Sequence, residues 1–331
     1  MDYSGCIPFI RLLRKSPMKS KSSWLIIFVF LIAGGCRFFS GDPYRNTPTT
    51  GKSAVDVDET LRPVVEAELD VFNIIYGYTE LEAMYVPENE SFRQLMNGEV
   101  NLIFTSRPLT INEWEVLKQK KIFPRQTKVA MDGIALIVSP SCTDTLISID
   151  QIRRILTGKI KRWEEINPLS TSGKIKVVFD NEKSGIVKFL ADSVCKGNFD
   201  ASIVSALEYN REVVEYTATH PGVLGFIGSG WISNPNDSLH LSLHRKVGIV
   251  AVSNDPLPNA ENSYKPYQAF LVNGLYPLTR DIYMINTEPR NGLATGFSSF
   301  VISDKGQRII LKSGILPAIA PERVINIRND F

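Results

Sequence analysis

Strand-like and helix-like patterns alternate along most of this chain. Apolar runs typical of buried strands occur at 54–57, 101–104, 134–138 and 175–179, and a helical pattern or a helix-capping pattern follows each. Two of the caps are capping boxes, Thr110 with Glu113 and Ser148 with Gln151. Strands separated by helices form parallel or mixed sheets with helices on their faces, so the pattern predicts an α/β fold.

The later part of the chain adds weaker patterns. Strands are predicted at 223–227 and 247–252, and helical spacing at 293–312 indicates a helix with a break near Asp304. His240 and His244 lie in a stretch that reads as a strand, so their spacing does not predict a metal site. Trp114, Trp163 and Trp231 are predicted to lie in the core.

Length and charge limit the classes of protein. A chain of 331 residues is longer than one ordinary core supports and fits two lobes. With 44% hydrophobic and 22% charged residues, it is typical of a folded globular protein. The whole chain has a net charge of +2, and residues 1–35 carry five basic side chains and one acidic one. The remainder of the chain therefore has a net charge of about −2. This balance gives no support to nucleic-acid binding.

The N-terminal region resembles an export signal. Lys19 and Lys21 precede an apolar run at 24–33, which is followed by two glycines and Cys36. The run is about half of the ~20 residues needed to span a bilayer. A cysteine after small residues resembles a bacterial lipobox, so we expect residues 1–35 to be removed and Cys36 to carry a lipid. The alternative is a soluble secreted protein in which Cys36 has no such role.

Residues 36–50 then read as the lipidated cysteine and a flexible tether. They are rich in Pro, Thr, Gly and Ser. A flexible segment of this length has a root-mean-square reach of roughly 20 Å. The tether would therefore lift a folded domain off a membrane surface.

No motif predicts catalysis, a metal or a cofactor. The sequence contains no nucleophile elbow, no phosphate-binding P-loop and no zinc-protease motif. Cys142 and Cys195 remain in the exported part, where both a disulfide and two free thiols are open possibilities. We therefore predict a binding protein and not an enzyme.

Three strand-to-helix junctions carry the chemistry of an oxyanion site. Helix N-termini, hydroxyls and cations bind such anions, and ligands of α/β sheets lie at the carboxyl ends of strands. For each junction the alternative is an ordinary helix cap or a surface loop. The candidate ligand-binding residues are Asp58 and Thr60 in the first junction, Ser106 and Arg107 in the second, and Ser184, Gly185, Ile186 and Lys188 in the third.

Several segments, in order, resemble the PstS-like phosphate-binding proteins of bacterial ABC importers. Each segment is weak alone, and together they span residues 51 to 317. They are 56–60, 105–109, 152–163, 179–189, 221–228, 276–280 and 300–317.

The resemblance implies a type II periplasmic binding fold with two lobes joined by two crossing segments. Lobe 1 would comprise 51–133 plus 248–331, and lobe 2 would comprise 134–247. Inorganic phosphate or a similar oxyanion would bind between them, and an ABC permease would accept it from a monomer anchored in the cell envelope, facing the periplasm. The alternative is a phosphate-sensing or interaction lipoprotein that kept the fold.

The sequence departs from the family pattern at the site itself. Ile186 stands where a threonine hydroxyl is usual, and Arg107 stands where some members have a carboxylate. Arg107 would then be the principal cation, and Asp58 or Asp180 the carboxylate that accepts a proton from the ligand. An arginine fork suits phosphate and sulfate alike, so the choice between these anions stays open.

Overall fold

The computed structural model describes residues 46–235 and 237–321. The predicted signal peptide, Cys36 and residues 36–45 of the predicted tether lie outside these residues. The described strands are β1 Gly51–Asp58, β2 Thr79–Val86, β3 Leu102–Thr105, β4 Arg125–Val138, β5 Leu146–Ser148, β6 Lys176–Phe179, β7 Val204–Ala206, β8 Val223–Gly228, β9 Gly248–Ile249, β10 Ala251–Ser253, β11 Ser263–Tyr264, β12 Thr279–Asn286 and β13 Leu316–Pro317.

Helices separate most of these strands. The described α-helices are α1 Arg62–Ile75, α2 Glu88–Asn97, α3 Ile111–Gln119, α4 Ile149–Leu156, α5 Gly185–Phe189, α6 Asn210–Thr219, α7 Gly230–Ser233, α8 Ser238–Lys246, α9 Gln268–Val272, α10 Leu293–Ile302 and α11 Asp304–Lys312. A short 3₁₀ turn at Glu59–Leu61 leads into α1, and a π-helical turn at Leu190–Val194 follows α5. The predicted α/β alternation is confirmed.

One mixed sheet runs through the molecule in the order β2-β1-β3-β12-β4-β8-β6-β7. Strand β1 is parallel to β2 and β3, and β6 is parallel to β7 and β8. The long strand β4 joins the two parallel groups: its first part pairs with β12, and Ile134 to Ile137 pair with β8. Strands β5, β10 and β11 form a separate small sheet.

The chain passes between the two halves of the sheet at two adjacent points, in β4 and at the start of β12. Thr279 is opposite Gly133 in the ladder, and Arg280 is opposite Asp132. The Gly133 backbone runs close to the side chain of Pro266, because an added Cβ would lie only 2.8 Å from Pro266 Cβ. This pair of crossings is where a hinge between two lobes would lie.

The hydrophobic core follows the two halves. One cluster joins β1, β3, α1 and α10 around Phe72, Phe104 and Phe297. Another joins β6, β8 and α4 around Trp163, Phe179 and Phe226. Val252, Tyr276 and Leu278 belong to this second cluster. This packing favours an end of the second lobe near residue 278, later than the predicted boundary at 247.

Local sequence signals account for several helix ends. Both predicted capping boxes are confirmed, at the N-termini of α3 and α4. Gly98 ends α2 in the left-handed conformation with φ of 76°, where a side chain would be strained. The predicted helix at 293–312 is two helices, because Ser303 ends α10 and caps α11.

Some sequence predictions need correction. Residues 46–50, predicted as the end of a tether, pack on α10: the Leu293 N–H donates to Asn46 Oδ1 at 2.7 Å. His240 and His244 lie in helix α8 and not in a strand. Trp114 is 39% exposed and lies outside the core, whereas Trp163 and Trp231 are buried.

The two cysteines of the folded part are free and buried. Burial raises the pKa of both thiols. Within residues 46–235 and 237–321, no helix is both long and apolar enough to cross a membrane.

Candidate functional site

The first and third predicted junctions meet directly. Strand β1 ends at Asp58, and its carboxylate Oδ2 accepts a hydrogen bond of 2.9 Å from the backbone N–H of Gly185 at the start of α5. Asp58 Oδ1 accepts from the Thr60 N–H at 2.9 Å and from the Thr60 hydroxyl. Two segments separated by more than a hundred residues therefore share one buried carboxylate.

The second junction lies against the same point. An added Cβ at Gly185 would overlap Ser106 Oγ and come within 3.1 Å of Asp58 Oδ2 and Glu88 Oε1. Ser106 donates its N–H and its hydroxyl to Glu88 Oε1, both at 2.7 Å. Glycine is needed at residue 185 because three polar groups approach its backbone. The predicted convergence of the three junctions is therefore seen in the geometry.

Arg280 is a cation of this site that the sequence prediction did not select. Its side chain is fully buried, and Nη2 donates to Thr60 Oγ1 at 2.7 Å and to Asp132 Oδ2 at 3.1 Å. Nε and Nη1 have no hydrogen-bond partner within the described residues. Arg280 lies in the segment 276–280 that carried part of the family resemblance, which was the available signal.

Four buried carboxyl groups lie at or beside the junctions, on Asp58, Glu59, Glu88 and Asp180. Burial, and then the charge of Asp58, raise the pKa of Asp180 to about 7. Burial raises the pKa of Glu59 to about 8, although Asn210 donates to its carboxylate. Burial and the Asp58 charge also raise the pKa of Glu88. The raised pKa values of Asp180 and Glu59 favour carboxyl groups that are at least partly protonated at neutral pH.

Asp180 is the least satisfied of these groups. It is 1% exposed, and both of its oxygens lie beside Ser184 and Asn181 without well-formed hydrogen bonds. Asp58, Glu59, Asp180 and Ser184 line a cavity of about 150 Å³. An uncompensated buried acceptor favours a ligand that donates hydrogen bonds.

Three predicted site residues have other partners. Arg107 makes two hydrogen bonds of 2.9 Å to Glu113, lies over the ring of Phe92, and has Nε 3.8 Å from Glu88. Lys188 pairs with Asp192 on an exposed helix face. The Ile186 side chain belongs to the core, so only its backbone is available to a ligand. Their roles in ligand binding stay predictions.

The described residues contain no group of three or more His, Cys, Asp or Glu side chains placed to hold a metal ion. His244 donates from Nδ1 to the Ile232 carbonyl at 3.0 Å, and burial lowers the pKa of His240.

Curated relatives and solved structures match most of the chain. The phosphate-binding protein PstS of Staphylococcus aureus is 23% identical over 282 residues, which cover 84% of this chain and 81% of that protein. A structure from Clostridium perfringens with bound phosphate, assigned to phosphate ABC transport, has a TM-score of 0.67 at 19% identity. It is matched over its whole length and covers 81% of this chain.

A third similar protein is an ABC-type phosphate transport receptor from Vibrio cholerae. Its structure has a TM-score of 0.60 at 17% identity, with 81% of this chain and all of that chain covered. These likenesses show the fold, which agrees with the predicted type II periplasmic binding architecture. The family model for the PBP superfamily domain matches residues 42–305. This chain therefore belongs to the PBP superfamily.

Proposed function

We propose that this protein is an extracytoplasmic solute-binding protein that captures inorganic phosphate, or a similar small oxyanion, between two lobes and delivers it to an ABC importer. The observation that carries the proposal is the convergence of the three junctions on Gly185, beside buried Arg280. The relatives named for phosphate binding and phosphate transport support the same ligand class.

Capture requires an exchange of partners. The contact between Asp58 and Gly185 joins the two halves of the sheet and occupies an N–H that an oxyanion needs. In the proposed binding step the lobes separate at the β4–β12 crossing, the ligand takes the Gly185 N–H and the free N–H groups of Arg280, and the lobes close again. A ligand shifts this equilibrium only by its different affinities for the two forms.

The carboxyl groups favour phosphate over sulfate in this proposal. Phosphate has P–OH groups that donate to the Asp58 carboxylate, whereas sulfate has no proton to donate at neutral pH. A protonated Asp180, with a pKa of about 7, donates to an oxygen of either anion, so the choice between the anions rests on Asp58. A proton shared between the ligand and a carboxyl group removes the repulsion between two negative groups.

Export and anchoring complete the proposal. Residues 1–35 are the signal, Cys36 carries the lipid, and lobes near 51–133 plus 279–321 and 134–278 form the cleft on the periplasmic side. The proposed partners are the ABC permease and the membrane, and no catalytic step is assigned. Replacing Cys36 by Ser should release the protein from the membrane fraction, whereas unchanged sedimentation with membranes would contradict lipid anchoring.

The direct test is calorimetric titration of the purified full-length chain with phosphate and with sulfate. Micromolar phosphate affinity with no sulfate signal supports the proposed receptor. Equal affinity for both anions would contradict the proton-sharing step.

A second candidate is a sensing or interaction lipoprotein that kept the fold without transporting a solute. One observation favours it: carboxylates of the protein itself occupy the donors of Ser106 and Gly185. Absence of heat with either anion, in a folded protein, would favour this candidate.

A further inference from the structure

A second contact crosses the cleft beside the one between Asp58 and Gly185. Glu59, in the turn after β1, reaches Asn210, the first residue of α6, and α6 packs on β8 in the other half of the sheet. Asn210 donates its backbone N–H to Glu59 Oε2 at 3.1 Å, and its Nδ2 donates to the same oxygen. The first N–H groups of a helix have no acceptor within the helix, so Glu59 caps α6 from across the cleft.

This contact is buried and has no cation of its own. Glu59 is 7% exposed and Asn210 is 0% exposed. Arg62, the next cation along the chain, pairs with Glu66 at 3.3 Å. Glu59 Oε1 and Asn210 Oδ1 have no hydrogen-bond partner within the described residues. With Glu59 ionised, the contact therefore buries a charge and leaves two acceptors unpaired.

A proton on Glu59 corrects both defects. It removes the buried charge, and it adds an O–H donor to a contact that lacks one. The amide of Asn210 presents a donor on one side and an acceptor on the other, so a half-turn of this amide lets Oδ1 accept the O–H. The geometry therefore favours the neutral carboxyl group in the closed cleft.

The groups around Glu59 act in the same direction. Burial, and then the charges of Asp180 and Asp58, raise the pKa of Glu59 to about 8, although the hydrogen bonds from Asn210 oppose the shift. Asp180 has a pKa of about 7 and must be separated from Glu59 in any test. The other charged or titratable groups in the two cavities that Glu59 borders are Arg62 and Glu66 on α1, Tyr85 on β2, Glu208 and Tyr209 before α6, Arg211, Glu212 and Glu215 on α6, and His240 on α8.

We propose that the contact between Glu59 and Asn210 is a proton-dependent latch, which holds the cleft closed when Glu59 is protonated and releases it when Glu59 is ionised. The inference rests on the proposed function in one respect, the separation of the two halves at the β4–β12 crossing. In the open form Glu59 meets water, where a glutamate has a pKa of about 4.3. Closure therefore takes up a proton between about pH 4.3 and pH 8, and the closing constant falls as the pH rises through this window.

The test is amide hydrogen exchange of the purified full-length chain without phosphate, measured by NMR at pH 6, 7 and 8. The Asn210 N–H reports the latch because Glu59 is its acceptor. Its protection factor, which corrects for the intrinsic pH dependence of exchange, should fall at least about ten-fold from pH 6 to pH 8 in the unchanged protein and in Asp180→Asn. Glu59→Gln imitates the protonated form and should stay protected at pH 8. Glu66→Gln, on α1 beside the same cavity, is the matched control and should keep the fall.

The Gly185 N–H reports the neighbouring contact, because its acceptor is Asp58. One opening breaks both contacts, so the protection of Gly185 should fall together with that of Asn210. Equal pH dependence at Asn210 in the unchanged protein and in Glu59→Gln would overturn the latch, and a fall confined to Asn210 would overturn its coupling to the cleft. Phosphate titration of the same samples tests the proposed function separately: the expected exchange without any phosphate heat keeps the latch and rejects phosphate binding.

Discussion

Arg107 and Arg280 both stand beside the cleft, and their surroundings differ sharply. Arg107 is 21% exposed, its Nη1 and Nη2 already bond to Glu113, and its Nε alone lacks a partner in the described residues. Arg280 is fully buried, with Nε and Nη1 unpartnered. A buried guanidinium that keeps two free donors, one of them terminal, is better prepared for an anion than one whose two terminal nitrogens are occupied. The comparison therefore favours Arg280 as the principal cation of the site.

The same comparison applies to the carboxylates next to each arginine. Burial alone raises the pKa of Glu113, but hydrogen bonds from Arg107 and the Thr110 N–H outweigh burial and hold this pKa below its usual range. Asp180, near Arg280, has a pKa raised to about 7. Glu113 thus stays ionised beside Arg107, whereas the raised pKa of Asp180 lies close to neutral pH.

The largest expected difference is in stability. Arg280→Ala leaves Asp132 without its cation in a buried place, so we expect a loss of about 3–5 kcal/mol in the free energy of unfolding. Arg107→Ala removes a partly exposed pair and a ring contact, so we expect a loss of about 1–2 kcal/mol. Urea unfolding of both variants measures the difference. Equal losses would remove the distinction between the two regions.

The next effect concerns Glu88, which lies between the two regions. Its carboxylate holds both donors of Ser106 and repels an incoming anion. Glu88→Gln removes the ionised form of this carboxyl group, whose pKa burial raises. We expect phosphate affinity to rise by at most about ten-fold, a free-energy difference of about 1.4 kcal/mol. Calorimetry measures it, with Glu82→Gln, an exposed carboxylate on β2, as the control. A weaker affinity in Glu88→Gln would show that Glu88 is a ligand-binding group.

The smallest effect is the pH dependence of the Arg280 region. Below pH 7 Asp180 is neutral and donates to the anion, and above pH 7 it is charged and repels it. The ratio of wild-type to Asp180→Asn dissociation constants should therefore rise several-fold from pH 6 to pH 8, and a ratio cancels the titration of phosphate itself. Titrations at three pH values measure it.

The matched control for this effect lies beside Arg107. Glu113→Gln should leave the pH dependence of phosphate affinity as it is in the unchanged protein, because Glu113 stays ionised throughout this range. A flat ratio for Asp180→Asn would contradict a titrating carboxyl group in the Arg280 region. A changed pH dependence for Glu113→Gln would place the titrating group in the Arg107 region instead.

The sequence predicted much of the architecture, because capping boxes and apolar strands are local signals. Strands β2 and β12 were missed, since neither is a continuous apolar run. Strand β2 has a single buried residue, and β12 alternates buried with half-buried residues and carries Arg280 and Asp281. Residues 46–50 were assigned to a tether by composition, but packing against α10 overrides composition.

The sequence pointed to the three junctions of the candidate site, but not to the buried charged residues Arg280 and Glu88. Asp58, Ser106 and Gly185 could be chosen because hydroxyl, carboxylate and glycine residues follow predicted strands. Arg280 could not be chosen in this way, because it begins a strand near the end of the chain and reaches the cleft only through the β4–β12 pairing. Glu88 is an acidic residue in the first turn of α2, and its contact with Ser106 is tertiary, so no local pattern points to it.

The most direct measurement is phosphate titration of Arg280→Lys beside Arg107→Ala, with thermal melting to confirm that both variants fold. Lysine keeps the charge of Arg280 and loses the fork, so the account predicts affinity reduced about 100-fold in Arg280→Lys. It predicts affinity within about three-fold of the unchanged protein in Arg107→Ala. Loss of binding in Arg107→Ala with normal binding in Arg280→Lys would contradict the account.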